Sequence, residues 1–136
     1  QGDVRYQAED LPVPIVGRYD FFWADHNILT DLKTSLTLVS QIKVGHARQT
    51  ALYKAAMPSN PDTRVSYITP KKSATYALED ADKHLNALVK CAQTLQRFLS
   101  ISNDPHELAG YICPNYESFY WNSSDVRSHS FEVYGF

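Results

Sequence analysis

Five histidines, two cysteines and a scatter of carboxylates are the side chains in this 136-residue sequence best suited to chemistry. Asp80 and His84 stand four apart, the spacing at which one helix face presents two metal ligands, with Glu79 and Asp82 beside them. Two ligands do not complete a site, and no HExxH, CxxC or paired ExxH supplies the rest. Acidic residues near a helix start also complement the helix dipole, so neither a metal nor another cofactor is predicted. His46 falls on an apolar helical seam, where its ring nitrogens need partners, and it is read as a hydrogen-bonded boundary histidine rather than a ligand or base. Asp25-His26 and Asp104-Pro105-His106-Glu107 read as helix-start text, because adjacent helical residues point about 100° apart and form no dyad. His129 stands in the C-terminal tail. GxSxG, GxxxxGK[ST] and GxGxxG are absent, and no catalytic residue is assigned.

Cys91 and Cys113 are an even pair, predicted to form a disulfide that closes a loop of about 22 residues. Asn122-Ser123-Ser124 is an N-glycosylation sequon at Asn122. The sequence opens on Gln1 without a basic or apolar leader. Together these features predict a secreted or extracellular chain whose signal peptide has been removed.

Eight of the seventeen aromatic residues lie in the last 26 positions, and four more fall within Tyr19–Trp23. Such residues close a small core or build a contact surface, since Tyr and Trp are large, stiff and half polar. Trp23, Tyr116, Phe119, Tyr120, Trp121 and Tyr134 are the candidate binding residues, for a protein or glycan partner or for a second copy of the chain.

The elements that would position these residues are read from periodicity. Ala74, Leu78, Ala81, Leu85, Leu88, Ala92, Leu95 and Leu99 follow an unbroken 4-3 spacing, flanked by His84, Cys91 and Phe98, which predicts a central helix over 70–101. A second seam, running from Ile28 through Leu32, Val39, Ile42 and His46 to Tyr53, predicts a helix or split helix over 25–57. Residues 1–23 read as an extended arm interrupted by Pro12 and Pro14, and 111–136 as an aromatic C-terminal arm. The expected fold is one all-α domain, an antiparallel long-helix hairpin or small helical bundle with extended arms. The alternative is α+β, with strands at 35–44, 64–69 and 131–136.

Apolar residues are 43% and charged residues 21%, a globular composition. A formal net charge of −2 argues against a nucleic-acid partner, although Lys71-Lys72 leaves open a basic patch assembled by folding. No apolar run is long enough to span a membrane. The expected function is therefore non-catalytic binding of a partner macromolecule, as an effector. A self-assembling coat or filament subunit, and a small secreted enzyme using histidine and carboxylate residues, are the alternatives.

Overall fold

The computed structural model describes residues 1–134, and the chain forms two compact units, Gln1–Gln93 and Thr94–Phe136. In the first unit, strand β1 (Gly2–Tyr6) pairs antiparallel with β2 (Ile15–Tyr19) in a two-stranded sheet. A second sheet has the order β3 (Phe21–Trp23), β4 (Ile28–Thr34), β5 (Asp62–Ile68), β6 (Ser73–Ala77). β3 turns back into β4 through a short 3-10 turn at Ala24–His26, with Asn27 in the left-handed region at φ 49°. β4 and β5 run parallel, and helix α1 (Val44–Ala56) lies between them in the chain as the crossover that parallel pairing requires. β5 returns into β6 antiparallel; Thr69 closes the turn with its N–H to the Lys72 carbonyl at 2.8 Å and its hydroxyl on the Lys72 N–H at 2.9 Å.

α1 packs against β5 and against the β1–β2 hairpin. Its buried residues Ala47, Thr50, Ala51, Leu52 and Tyr53 recur at helical spacing. Val4, Leu29, Leu52 and Tyr53 form the core cluster, joined by half-buried Tyr6, Ile15, Tyr19, Phe22, Met57 and Leu88 among others. Gly17 is required by close approach: a Cβ there would sit 2.6 Å from Cε1 of the Tyr53 ring. The chain continues into α2 (Ala81–Leu99), of which no residue is buried. Leu88 rests on the core cluster, whereas Leu95 and Leu99 are more than half exposed.

These observations correct the all-α expectation. The fold is α+β, with two sheets and six strands among the described residues, and it is not a helical bundle. The long helix expected over 25–57 is a 3-10 turn, a strand, a loop and then α1. Within 70–101 the helix begins only at Ala81, because Ser73–Ala77 pairs with β5 across the hairpin turn that Thr69 shapes. The arm expected over 1–23 is β1, β2 and β3. Of the three strands in the α+β alternative, 64–69 overlaps β5, 35–44 is mainly loop, and 131–134 is helical, with 135–136 outside the described residues. Cys91 and Cys113 are both free and exposed, so the expected disulfide is absent.

The second unit, residues 94–136, holds the end of α2, α3 (Pro105–Ala109), a 3-10 turn at Phe119–Trp121 and α4 (Ser124–Tyr134). Asp104 caps α3 through the His106 N–H at 2.9 Å, with Pro105 at the first helical position. Ser130 is its one buried residue among those described.

Candidate functional site

β4 carries alternate side chains on alternate faces, so Leu29, Asp31 and Lys33 share a face. Leu29 is fully buried in the core. Two residues on, Asp31 is almost as deeply enclosed, with its side chain 2% exposed. Lys33 follows at 23% exposed, and its Nζ lies 2.8 Å from Asp31 Oδ2. That contact is an ion pair that sets the ammonium directly against Oδ2. The Lys33 ammonium also donates to Gln49 Oε1 on α1 at 2.9 Å, and Gln49 Nε2 donates to the hydroxyl of Tyr53 one turn further on. Asp20, at the bend between β2 and β3, accepts the Leu32 N–H on Oδ2 at 2.9 Å. The backbone between Asp31 and Lys33 is thus tied to a second carboxylate.

Burial pushes the Asp31 carboxyl above the ordinary aspartate range, and the negative charge of Asp20 pushes it further, while contact with Lys33 opposes both. Burial likewise raises the Tyr53 phenol, against the Gln49 hydrogen bond and with the charges of Asp31 and Asp20 adding to the rise. A buried carboxylate raised by burial and by the charge of Asp20, with an ammonium held between it and an amide, makes a constrained polar cluster in the interior.

At the C-terminal end of the same strands lies a second layer. Tyr67 on β5 is the cross-strand partner of Lys33. Its hydroxyl accepts the Lys43 N–H at 3.0 Å and meets His46 Nδ1 at 2.8 Å. Tyr67 also packs edge-on against Tyr76, whose hydroxyl donates to the Val39 carbonyl at 2.7 Å. The loop from β4 to α1 is thereby fastened to the sheet by two tyrosine hydroxyls.

Chemically, Asp20 and Asp31 offer hard oxygen donors suited to Mg²⁺ or Mn²⁺. Among the described residues no three of His, Cys, Asp and Glu converge on one point. A cation at Asp20 and Asp31 would take its remaining ligands from backbone carbonyls, water and substrate, as Mg²⁺ commonly does. The buried carboxylate of Asp31, an acceptor-only group in the interior when ionised, fits that use.

The residues singled out from sequence fall elsewhere, except for His46. Trp23 is 46% exposed and stacks on Phe21 at 5.8 Å, in the first unit. Tyr116, Phe119, Tyr120, Trp121 and Tyr134 belong to the second. Phe119 and Tyr120 stand 89% and 83% exposed, and Tyr116 carries the Arg127 guanidinium 5.8 Å over its ring. Asn122 is exposed, and its Oδ1 accepts from Arg127 at 2.7 Å. His84 lines a 410 Å³ cavity with Glu79, Asp80 and Tyr76. His26, His106 and His129 are exposed, the last 3.3 Å from Glu132. Asp20, Asp31, Lys33, Gln49 and Tyr53 were missed; their signal is Asp-x-Lys in one strand and Gln-x-x-x-Tyr on one helix face.

No family model matches the chain, and no curated protein matches it. A solved structure described as that of SSO0001 is similar, with a TM-score of 0.52 and 20% identity over 82% of this chain. The match covers 58% of SSO0001, so this chain spans little more than half of that protein's length, and the likeness is one of fold alone.

Proposed function

We propose that the chain is a divalent-cation-dependent phosphodiesterase acting on nucleic acid, with Asp20, Asp31 and Lys33 as its reactive cluster. The observation that carries this reading is the Asp31 carboxylate: 2% exposed, raised by burial and by Asp20, and 2.8 Å from the ammonium of Lys33 two residues along the same strand. A carboxylate kept there for stability alone would be an unfavourable choice, since an apolar pair of similar volume is often at least as stable. Asp20 and Asp31 would hold the cation. A cation so held supplies an acidified water and neutralises charge on a phosphoryl oxygen.

The chain's own residues do the rest. The Leu32 N–H fixes Asp20, Gln49 fixes the Lys33 ammonium, and Tyr53 fixes Gln49. Lys33 then sits where negative charge develops on the phosphoryl oxygens as water's oxygen bonds to phosphorus and the ester P–O bond breaks. The attacking water gives up a proton to solvent, and the departing oxygen leaves with a proton from solvent.

A polyanionic substrate is favoured by what gathers at one end of the sheet. Lys33 is the penultimate residue of β4, Lys43 is tied to the penultimate residue of β5, and Lys71 and Lys72 lie in the turn that follows. Four lysines at one end of the sheet, in a chain of net charge −2, support a polyanionic partner where net charge alone supports none. The test is cleavage of a fluorescein-labelled oligonucleotide in Mn²⁺ or Mg²⁺. Cleavage that EDTA stops and Asp31→Asn abolishes is expected; a protein inactive in both metals, or equally active in EDTA, overturns the reading. A second reading, a protein- or glycan-binding surface, is favoured by the exposure of Phe119 and Tyr120.

A further inference from the structure

We infer that His46 binds the substrate phosphate as a neutral hydrogen-bond donor through Nε2–H, an assignment that rests on the phosphodiesterase reading above. His46 lies one turn before Gln49 on α1, and His46, Gln49, Thr50 and Tyr53 recur at the spacing of a single helix face. That face lies over the strand ends: Gln49 holds Lys33, and His46 meets Tyr67, which pairs directly across from Lys33. His46 therefore stands beside Lys33 at the C-terminal end of two parallel strands, where open α/β sheets bind their ligands.

The Tyr67 hydroxyl bears on its tautomer. The phenol oxygen accepts the Lys43 N–H, and giving its own proton to His46 Nδ1 is the arrangement that uses both its donor and its acceptor. Nδ1 is then the acceptor and Nε2 carries the hydrogen. Burial lowers the His46 pKa, and the charges of Lys33 and Lys43 lower it further against the opposing charge of Asp31; the net lowering favours the neutral ring. Among the described residues Nε2 has no hydrogen-bond partner, and the ring is neither a core residue nor fully exposed. A backbone amide, a phenol and a lysine thus fix a ring whose remaining donor is unused. A phosphate oxygen held by Lys33 would meet it.

The test uses the full chain with a 5′-fluorescein single-stranded DNA in Mn²⁺, measuring KM, kcat and urea unfolding for His46→Ala, His46→Gln, Tyr67→Phe and Asp31→Asn. His46→Ala should raise KM by about 10-fold with kcat within about 3-fold, the size of one hydrogen bond to a charged group. His46→Gln, whose amide places a donor near Nε2, should restore most of the loss. Tyr67→Phe, which frees the tautomer, should fall between. Unchanged KM in His46→Ala, or His46→Gln as impaired as His46→Ala, while Asp31→Asn is inactive, overturns the His46 role and leaves the reactive cluster standing. Full activity in Asp31→Asn overturns the cluster, and this inference with it.

Discussion

Replacing Lys33 by Met tests whether the cluster is a strained polar device or an ordinary stabilising ion pair. The substitution keeps the length of the side chain and removes the ammonium that sits 2.8 Å from Asp31 Oδ2. Removing one partner of a buried pair costs about 3–5 kcal/mol, because the other charge stays buried without compensation. Asp31 meets that condition at 2% exposed, but Lys33 is 23% exposed, so a loss of roughly 2–3 kcal/mol at pH 7 is the working figure. With a urea slope of about 1–3 kcal/mol/M, that is a midpoint shift of about 0.7–3 M. At pH 5 the deficit should shrink, since Asp31, already raised by burial, can take up a proton. The double variant Asp31→Leu with Lys33→Met replaces the pair by apolar groups and should recover to within about 1 kcal/mol of the parent, or exceed it, without recovering cleavage. Urea unfolding followed by circular dichroism in EDTA, at pH 7 and pH 5, compares the parent, the single variant and the double variant. A single variant as stable as the parent, or a double variant no more stable than the single, would refute the claim that these charges sit in a poorly solvated place.

Three further outcomes follow from particular contacts. Because burial lowers the His46 pKa below 6.5, the unfolded chain binds more protons than the folded one between that lowered value and 6.5. Stability should therefore fall as pH drops below about 6.5, and His46→Gln should flatten that part of the profile measured by urea midpoints. Gly17→Ala places a Cβ 2.6 Å from the Tyr53 ring, so it should destabilise by about 1–3 kcal/mol, with cleavage falling as Tyr53 loosens its hold on Gln49; an unchanged melting temperature would show that the hairpin yields freely. Native protein treated with a thiol reagent should titrate two cysteines rapidly, Cys91 and Cys113, and recovery of no free thiol would restore the disulfide.

The sequence made the second half of α2 plain and hid the sheet, for physical reasons that particular residues illustrate. Leu85, Leu88, Ala92, Leu95 and Leu99 keep their 4-3 spacing because a helix does form there. Ala74 and Leu78 extend the same spacing by coincidence, since Ser73–Ala77 alternates its half-buried Ala74 and Tyr76 along a strand. β4 was hidden for a different reason. A strand buried on both faces normally reads as a run of Val, Ile and Leu, but here Thr30 and Asp31 occupy buried positions, and Ile28 with Leu32 imitates a helical repeat. The residues that disguised the strand are the ones that make it interesting. His46 was legible as a ring in need of partners, and it found Tyr67, but the strand that brought Tyr67 opposite Lys33 was needed to give that contact meaning.

Net charge says nothing of where lysines fall: Lys33 lies near the end of β4, Lys43 is tied to Tyr67 near the end of β5, and Lys71 and Lys72 lie in the turn that follows, although the four are scattered in sequence.

Calorimetric titration of the metal-free protein with Mn²⁺ tests the central claim most directly, because it needs no substrate. The account predicts saturable binding to the parent chain, lost in both Asp20→Asn and Asp31→Asn and retained in Glu79→Gln. Binding that survives Asp31→Asn unchanged would contradict it.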